Sequence, residues 1–133
     1  MNAIKTIKIL IFIASSFICI KAHCQKSQSD KEINLKSIEK YQKVIYKTTH
    51  QIDSISRIRL KGTYDANQAN PVNNKVDFIQ KTITSDSSLT DTKKIAFLRG
   101  LSESLNAFAY ALRSGEMIPG QYLPLADAYE KAM

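Results

Sequence analysis

The stretch LTDTKKIAFLRGLSESLNAFAYALRSG, Leu89–Gly115, decides the fold class of this 133-residue chain. Its large apolar residues recur at steps of three and four, which places them on one face of an α-helix. Thr90 is a suitable N-cap, and Arg113 followed by Gly115 is typical of a helix end. The stretch therefore predicts an amphipathic helix over residues 90–114. Its apolar face comprises Ile95, Leu98, Leu101, Leu105, Phe108 and Leu112.

Small residues inside this helix indicate a close neighbour. Gly100 costs about 1 kcal/mol relative to alanine in a helix interior, so we expect another helix to cross there. Ala107, Ala109 and Ala111 favour helix and leave room for a neighbouring element to approach.

Two further helices are predicted before it. Over residues 30–61 an apolar seam alternates steps of three and four, and a basic last turn precedes Gly62, a typical helix stop. The seam consists of Ile38, Tyr41, Ile45, Thr48, Ile52 and Ile55, widened by Val44 and Ile58. Over residues 70–84, Asn70 suits the N-cap and Pro71 the first helical position. The apolar face there is Val72, Val76, Ile79 and Ile83.

A short fourth helix is predicted over residues 124–132, with Leu125, Ala128 and Tyr129 on one side. Strand alternation and tight hairpin turns are nearly absent, and short joints between helices favour antiparallel neighbours. We therefore expect an all-α fold: a small helical bundle of three main amphipathic helices plus a short C-terminal helix, preceded by a signal-peptide helix. The seam of the long first helix is also compatible with a dimer, so the oligomeric state stays open.

The first 24 residues have the pattern of a secretory signal peptide. A basic opening with Lys5 and Lys8 precedes the apolar run ILIFIASSFICI, and Lys21 ends that run. The run is too short for a membrane-spanning helix, which needs roughly 20 apolar residues. We therefore predict an exported protein, periplasmic or extracellular, with no transmembrane span in the mature chain.

Two cleavage positions fit this segment. A cut after Cys24 leaves residues 25–133 as a single α-helical domain, and a cut after Ala22 is the alternative. A lipoprotein anchor at Cys24 fits poorly, because His23 stands where such signals need a small residue. The segment resembles the signal sequences of exported Gram-negative bacterial proteins whose mature chains begin with glutamine. That resemblance implies a location and no activity.

The formal net charge of +7 is unevenly distributed along the chain. Residues 1–24 carry three lysines and no acid, whereas residues 25–133 carry 16 basic and 12 acidic side chains. From Lys26 to Lys61 there are nine basic residues and four acids. This excess predicts either attraction to an anionic surface or an ordinary solvated helix face.

Five acidic residues each precede a basic residue by four positions, the spacing and order of stabilising pairs on exposed helices. The pairs are Glu32 and Lys36, Glu39 and Lys43, Asp53 and Arg57, Asp77 and Lys81, and Asp127 and Lys131. A carboxylate held beside an exposed cation is poorly suited to be a general acid, which needs a raised pKa.

The sequence shows no constellation for catalysis, metal binding or cofactor binding. His50 is the one certain histidine of residues 25–133, and we interpret it as a surface or boundary residue. Zinc, haem, di-iron, calcium and phosphate-loop patterns are absent, as is the nucleophile elbow of hydrolases. We therefore expect no cofactor and no metal.

Two candidate binding surfaces remain. The first, named the lysine stripe below, has helical spacing along one side of the first helix and suits phosphate contact. It consists of Lys36, Lys40, Lys43 and Lys47. Export argues against nucleic acid, so an envelope protein or an anionic surface is the expected partner. The second surface is Tyr64 and Tyr122, which lie in predicted loops.

These patterns together predict a binding or interaction module without catalytic activity. The alternative is the N-terminal helical domain of a longer exported protein whose active region lies beyond residue 133. The lack of a stop signal after the last helix, which ends in Tyr129-Glu130-Lys131-Ala132-Met133, motivates this alternative.

Overall fold

A computed structural model describes the backbone of residues 2–62 and 64–133, with the side chains of residues 27–62, 64–65 and 67–133. Helix α1 is Asn2–Arg59, α2 is Ala66–Ser85, α3 is Asp91–Ser114 and α4 is Leu123–Ala132. A short 3-10 helix, Pro119–Tyr122, immediately precedes α4. No strand occurs in the described backbone, so the predicted all-α class is confirmed. The signal-peptide prediction for residues 1–24 lies outside the described side chains.

The chain divides into two compact units, one up to Leu35 and the other from Lys36 to Met133. The second unit contains the rest of α1 with α2, α3 and α4, and it holds every candidate binding residue. Within the described part of the chain, no helix is both long enough and apolar enough to cross a bilayer.

Helix α2 begins earlier than its sequence pattern predicts, at Ala66 instead of residue 70. Asp65 is the N-cap, and its carboxylate accepts a hydrogen bond from the backbone N–H of Asn67 at 2.8 Å. Because this cap lies upstream of Asn70, Pro71 sits inside the helix and not at its first position. Its ring nitrogen has no hydrogen to donate to the preceding turn.

The predicted apolar faces of α1, α2 and α3 meet in one core. All four apolar residues predicted for α2 are buried, as are Ile45 and Ile52 of α1. Ile58 does not widen the α1 seam, because its side chain is 74% exposed. The α3 contribution is Leu98, Leu101, Leu105, Phe108, Ala109 and Leu112.

The buried side of α4 differs from the prediction. Ala126 is buried, whereas Leu125 is 52% exposed and Ala128 is also exposed. The reason is the 3-10 helix, which places Pro119 and Tyr122 in the core and leads directly into α4. This lead-in fixes the rotation of α4 about its axis, and local periodicity does not encode it.

The Tyr129 side chain of α4 reaches the α3 backbone at Gly100, where the sequence predicted a close neighbour. A Cβ atom at position 100 would lie 3.2 Å from the Tyr129 hydroxyl oxygen. That hydroxyl donates a hydrogen bond to the backbone carbonyl of Phe97. Glycine at this position therefore allows Tyr129 to lie flat against the α3 backbone.

The C-terminal end of α3 is joined to the end of α1. Gly115 has φ +94°, in the left-handed region, and its N–H bonds back to the carbonyl of Ala111. The Arg59 guanidinium donates to the carbonyls of Leu112 and, at 3.0 Å, Arg113. The φ of +94° favours glycine at position 115, and a Cβ atom there would lie 2.0 Å from Arg59 Nη2, so a side chain would displace the guanidinium.

Candidate functional site

The lysine stripe is exposed along α1 in the second unit. Lys40, Lys43 and Lys47 are exposed and form no ion pair with any residue whose side chain is described. Lys36 is exposed as well. The stripe therefore presents positive charge that the fold does not neutralise at three of its four positions.

Other charged residues of the second unit do find partners. Arg57 Nε lies 2.8 Å from Asp53 Oδ2, and Lys81 Nζ lies 2.6 Å from Asp77 Oδ2, as the four-residue spacing predicted. The predicted pair of Glu39 and Lys43 does not form, so that prediction is wrong.

The prediction that Asp127 pairs with Lys131 is also wrong, because Asp127 pairs with a lysine of α2 instead. Lys75 of α2 lies 3.0 Å from Asp127 Oδ1 and also pairs with Glu130. Because α4 packs on α2, Lys75 reaches the two carboxylates of α4. The pairs therefore connect two helices, whereas the predicted pair of Asp127 and Lys131 would have lain within α4.

Tyr46 lies beside the lysine stripe and is the most exposed aromatic residue near it. It lies on α1 between Lys43 and Lys47, and 66% of its surface is exposed. The ring of His50 meets it in a T-shaped contact, with centroids 4.3 Å apart and planes inclined by 68°. Sequence analysis missed Tyr46 because it lies off the apolar seam; its position between two lysines was the available signal.

A polar cleft of about 340 Å³ opens beside Tyr46, between α1 and α2. Helix α1 contributes Tyr46, His50, Asp53 and Arg57 to its lining. Helix α2 contributes four amide side chains, named the cleft amides below: Asn70, Asn73, Asn74 and Gln80. Val76, a core residue, also borders the cleft.

The acidic groups of the cleft are already paired. Asp53 accepts hydrogen bonds from Arg57 at 2.8 Å and from the Tyr64 hydroxyl at 2.9 Å. Burial raises the pKa of Asp53, but these two hydrogen bonds outweigh burial, so the pKa lies below its usual range. Asp77 pairs with Lys81 one turn further along α2. The cleft therefore offers an incoming ligand little uncompensated charge.

The cleft amides have no such partners. None of their side chains forms a hydrogen bond with another residue in the described ranges. Asn73 is the extreme case, because its Oδ1 is buried without any donor. Leaving a buried acceptor unpaired costs about 1–3 kcal/mol. Three asparagines within five helical positions were a signal in the sequence, since asparagine is a weak helix former.

The two tyrosines proposed from the sequence have different positions. Tyr64 follows α1 and is half-buried; it donates a hydrogen bond to the cleft residue Asp53 but does not itself line the cleft. Arg57 lies over its ring, 5.1 Å from the centroid. The structure therefore brings Tyr64 close to the residues at the end of the lysine-bearing helix.

Tyr122 is not in a loop, so that prediction is wrong. It ends the 3-10 helix, is 2% exposed, and stacks on Phe108 with ring centroids 4.3 Å apart. Burial raises its pKa to about 12. An apolar pocket of about 460 Å³ borders the two rings together with Met117 and Leu125. Tyr122 is primarily a core residue because the 3-10 helix turns it inward.

No group of three histidine, cysteine, aspartate or glutamate side chains is placed to hold a metal ion in the part of the chain that was described. Comparison with known proteins found no match: no protein-family model matches the chain, and no curated protein or solved structure does so either. The function therefore has to be inferred from the residues of the site alone.

Proposed function

We propose that this protein is an exported binding module without catalytic activity, and that the lysine stripe on α1 binds an anionic surface of the cell envelope. One observation carries the proposal: Lys40, Lys43 and Lys47 are exposed and unpaired among the described side chains, whereas Arg57 and Arg59 of the same helix are engaged. The signal-peptide pattern of residues 1–24 supports export.

The size of the effect follows from charge. A lysine near an anionic membrane surface contributes about 1 kcal/mol, and the contribution decays within a Debye length. The three unpaired lysines together therefore give weak, salt-sensitive binding. Tyr46 lies beside them with an exposed amphipathic ring, a side chain that is favoured at membrane interfaces and binding surfaces.

The residues nearest to the stripe do not suggest catalysis. His50 contacts the Tyr46 ring and forms no hydrogen bond with a described residue, so it has no partner to orient it as a base. The pKa of Asp53 is lowered, opposite to the shift that a general acid requires, because its hydrogen bonds from Arg57 and Tyr64 outweigh the opposing effect of burial. These observations support a binding role.

The proposal can be tested by co-sedimentation of the purified protein with vesicles of phosphatidylglycerol and phosphatidylethanolamine in equal parts. We expect binding at low salt, loss of binding near 1 M salt, and no binding to phosphatidylcholine vesicles. The variant Lys40→Gln/Lys43→Gln/Lys47→Gln should bind on the order of 100-fold more weakly, because three contributions of about 1 kcal/mol are lost.

The matched control removes the same charge elsewhere, with Lys61→Gln/Lys93→Gln/Lys131→Gln. These three lysines are exposed and lie outside the stripe. The control should retain most of the wild-type affinity. Equal binding by the two triple variants, or no binding by the wild type at low salt, would refute the proposal.

A further inference from the structure

The polar cleft contains hydrogen-bonding groups that the fold does not use. The cleft amides each carry a donor NH₂ and an acceptor oxygen, and these are unbonded within the described structure. Ligand sites combine a cavity of about 300–1,000 Å³ with a few convergent polar groups. The cleft, at about 340 Å³, meets both conditions.

The charges of the cleft indicate a neutral ligand. Asp53 is bonded to Arg57 and Tyr64, and Asp77 is paired with Lys81. A charged ligand would have to compete with these contacts, whereas an uncharged ligand can bond to the amides and leave them intact. Hydroxyl groups suit this lining, because a hydroxyl both donates and accepts, as an amide side chain does.

Tyr46 adds an apolar surface at the entrance of the cleft. It is 66% exposed, and His50 contacts it only in a T-shaped arrangement, so much of the ring stays open. A sugar ring has hydroxyls at its rim and a C–H face that packs on an aromatic ring. The combination of amides with an exposed tyrosine therefore fits a saccharide.

Asn73 gives the cleft its specific feature. The residue lines the cleft, yet its Oδ1 is buried without a donor. The terminal torsion of asparagine is soft, so the amide of Asn73 can adjust its orientation when a ligand enters the cleft. A ligand hydroxyl suits this amide, because a hydroxyl both donates and accepts.

A peptide fits the cleft less well. One common mode adds an extended peptide to an exposed strand edge, and the described backbone contains no strand. Helical peptides bind apolar grooves, whereas this cleft is lined mainly by amides and charged groups. We therefore infer that the polar cleft between α1 and α2 is a binding site for a neutral saccharide, separate from the lysine stripe.

The test is an NMR titration of the uniformly ¹⁵N-labelled protein, in which the side-chain NH₂ signals of asparagine and glutamine are followed. The probes are neutral tetrasaccharides of glucose, mannose, galactose and N-acetylglucosamine, with N-acetyl-trialanine amide as the peptide probe. We expect at least one saccharide to shift the signals of the cleft amides saturably, while the peptide does not.

Variants assign the site. Gln80→Met and Asn73→Leu each remove a cleft amide and should weaken saccharide binding about fivefold or more, since one hydrogen bond is lost. Gln68→Met changes an exposed glutamine of the same helix outside the cleft and should leave binding unchanged. The triple lysine variant should also bind saccharide normally, which separates this inference from the proposed function.

Three results would overturn the inference. The first is the absence of a saturable shift with all four saccharides. The second is equal binding by Gln80→Met and Gln68→Met, which would place the ligand elsewhere. The third is a stronger response to the peptide probe than to any saccharide. Failure of vesicle binding would leave the saccharide result unaffected.

Discussion

Polar side chains on two sides of α2 differ in whether they have a hydrogen-bonding or ionic partner. Towards α4, Lys75 is paired with both Asp127 and Glu130. Towards α1, Asn73 lies only two residues away along the helix and has a buried oxygen without a donor. The first arrangement holds two helices together, whereas the second weakens the fold. The proposed binding site accounts for an unsatisfied group at this position, since functional sites commonly trade stability for activity.

At the end of α1, as at Lys75, a polar side chain joins two helices and has partners. The Arg59 guanidinium bonds to two carbonyls at the end of α3 and fits into the space that Gly115 leaves. Arg59, which bonds to the end of α3, and Lys75, which pairs with α4, are thus polar groups that join two helices and have partners. In the cleft between α1 and α2, by contrast, the buried Asn73 Oδ1 has no donor.

The largest effect is expected at Gly115. Gly115→Ala places a side chain at φ +94° and within 2.0 Å of Arg59 Nη2. The left-handed conformation alone costs roughly 1–2 kcal/mol, and displacement of Arg59 adds to it. The matched control is Gly62→Ala, because Gly62 has φ +90° and nothing within 4 Å of its Cβ position. Urea unfolding should show a larger loss for Gly115→Ala; equal losses would contradict the contact with Arg59.

A smaller loss is expected at Lys75. Lys75→Met removes the ion pairs between α2 and α4, while Lys81→Met removes a pair within α2 from a lysine that is 75% exposed. Because Lys75 joins two helices and Lys81 does not, Lys75→Met should unfold at a lower urea concentration than Lys81→Met. The reverse order would show that the α2–α4 pairs are irrelevant to stability.

Asp53 lines the cleft and, unlike Asn73, has hydrogen-bond partners. We therefore expect it to stabilise the fold, as Arg59 and Lys75 do. Its folded pKa is depressed below 3.8 because hydrogen bonds from Arg57 and Tyr64 outweigh burial. Its contribution is therefore present above about pH 4 and is lost as pH falls through the folded pKa. Asp53→Asn should lower the free energy of unfolding by about 0.5–1 kcal/mol at pH 7. The difference from wild type should shrink towards pH 2; a constant difference would contradict the depressed pKa.

The spacing of apolar and capping residues correctly predicted those features that depend on a single helix. The apolar face of α2, the cap at Thr90 and the stop at Gly115 follow from local spacing, and the structure has all three. The partner of Asp127 and the burial of Tyr122 did not follow, because they depend on how α4 and the 3-10 helix pack on other elements.

The candidate site was only partly visible in the sequence for the same reason. The lysine stripe lies on one helix, so its spacing alone placed it on one side of α1. The cleft combines α1 with α2, and Asn70 was interpreted as a cap although Asp65 has that role. No local pattern relates Tyr46 to Asn73 across the two helices.

The most direct measurement compares two asparagines that lie inside helices. Asn106 Oδ1 of α3 lies 3.3 Å from the Thr48 hydroxyl of α1, which it shares with the Val44 carbonyl at 2.8 Å, whereas Asn73 Oδ1 has no partner. Both Asn→Ala changes gain the same helix propensity, so the difference in their free energies of unfolding reports the side-chain bonding. We predict that Asn73→Ala is at least as stable as the wild type and about 1 kcal/mol more stable than Asn106→Ala. An Asn73→Ala protein less stable than Asn106→Ala would show that the cleft amides serve the fold.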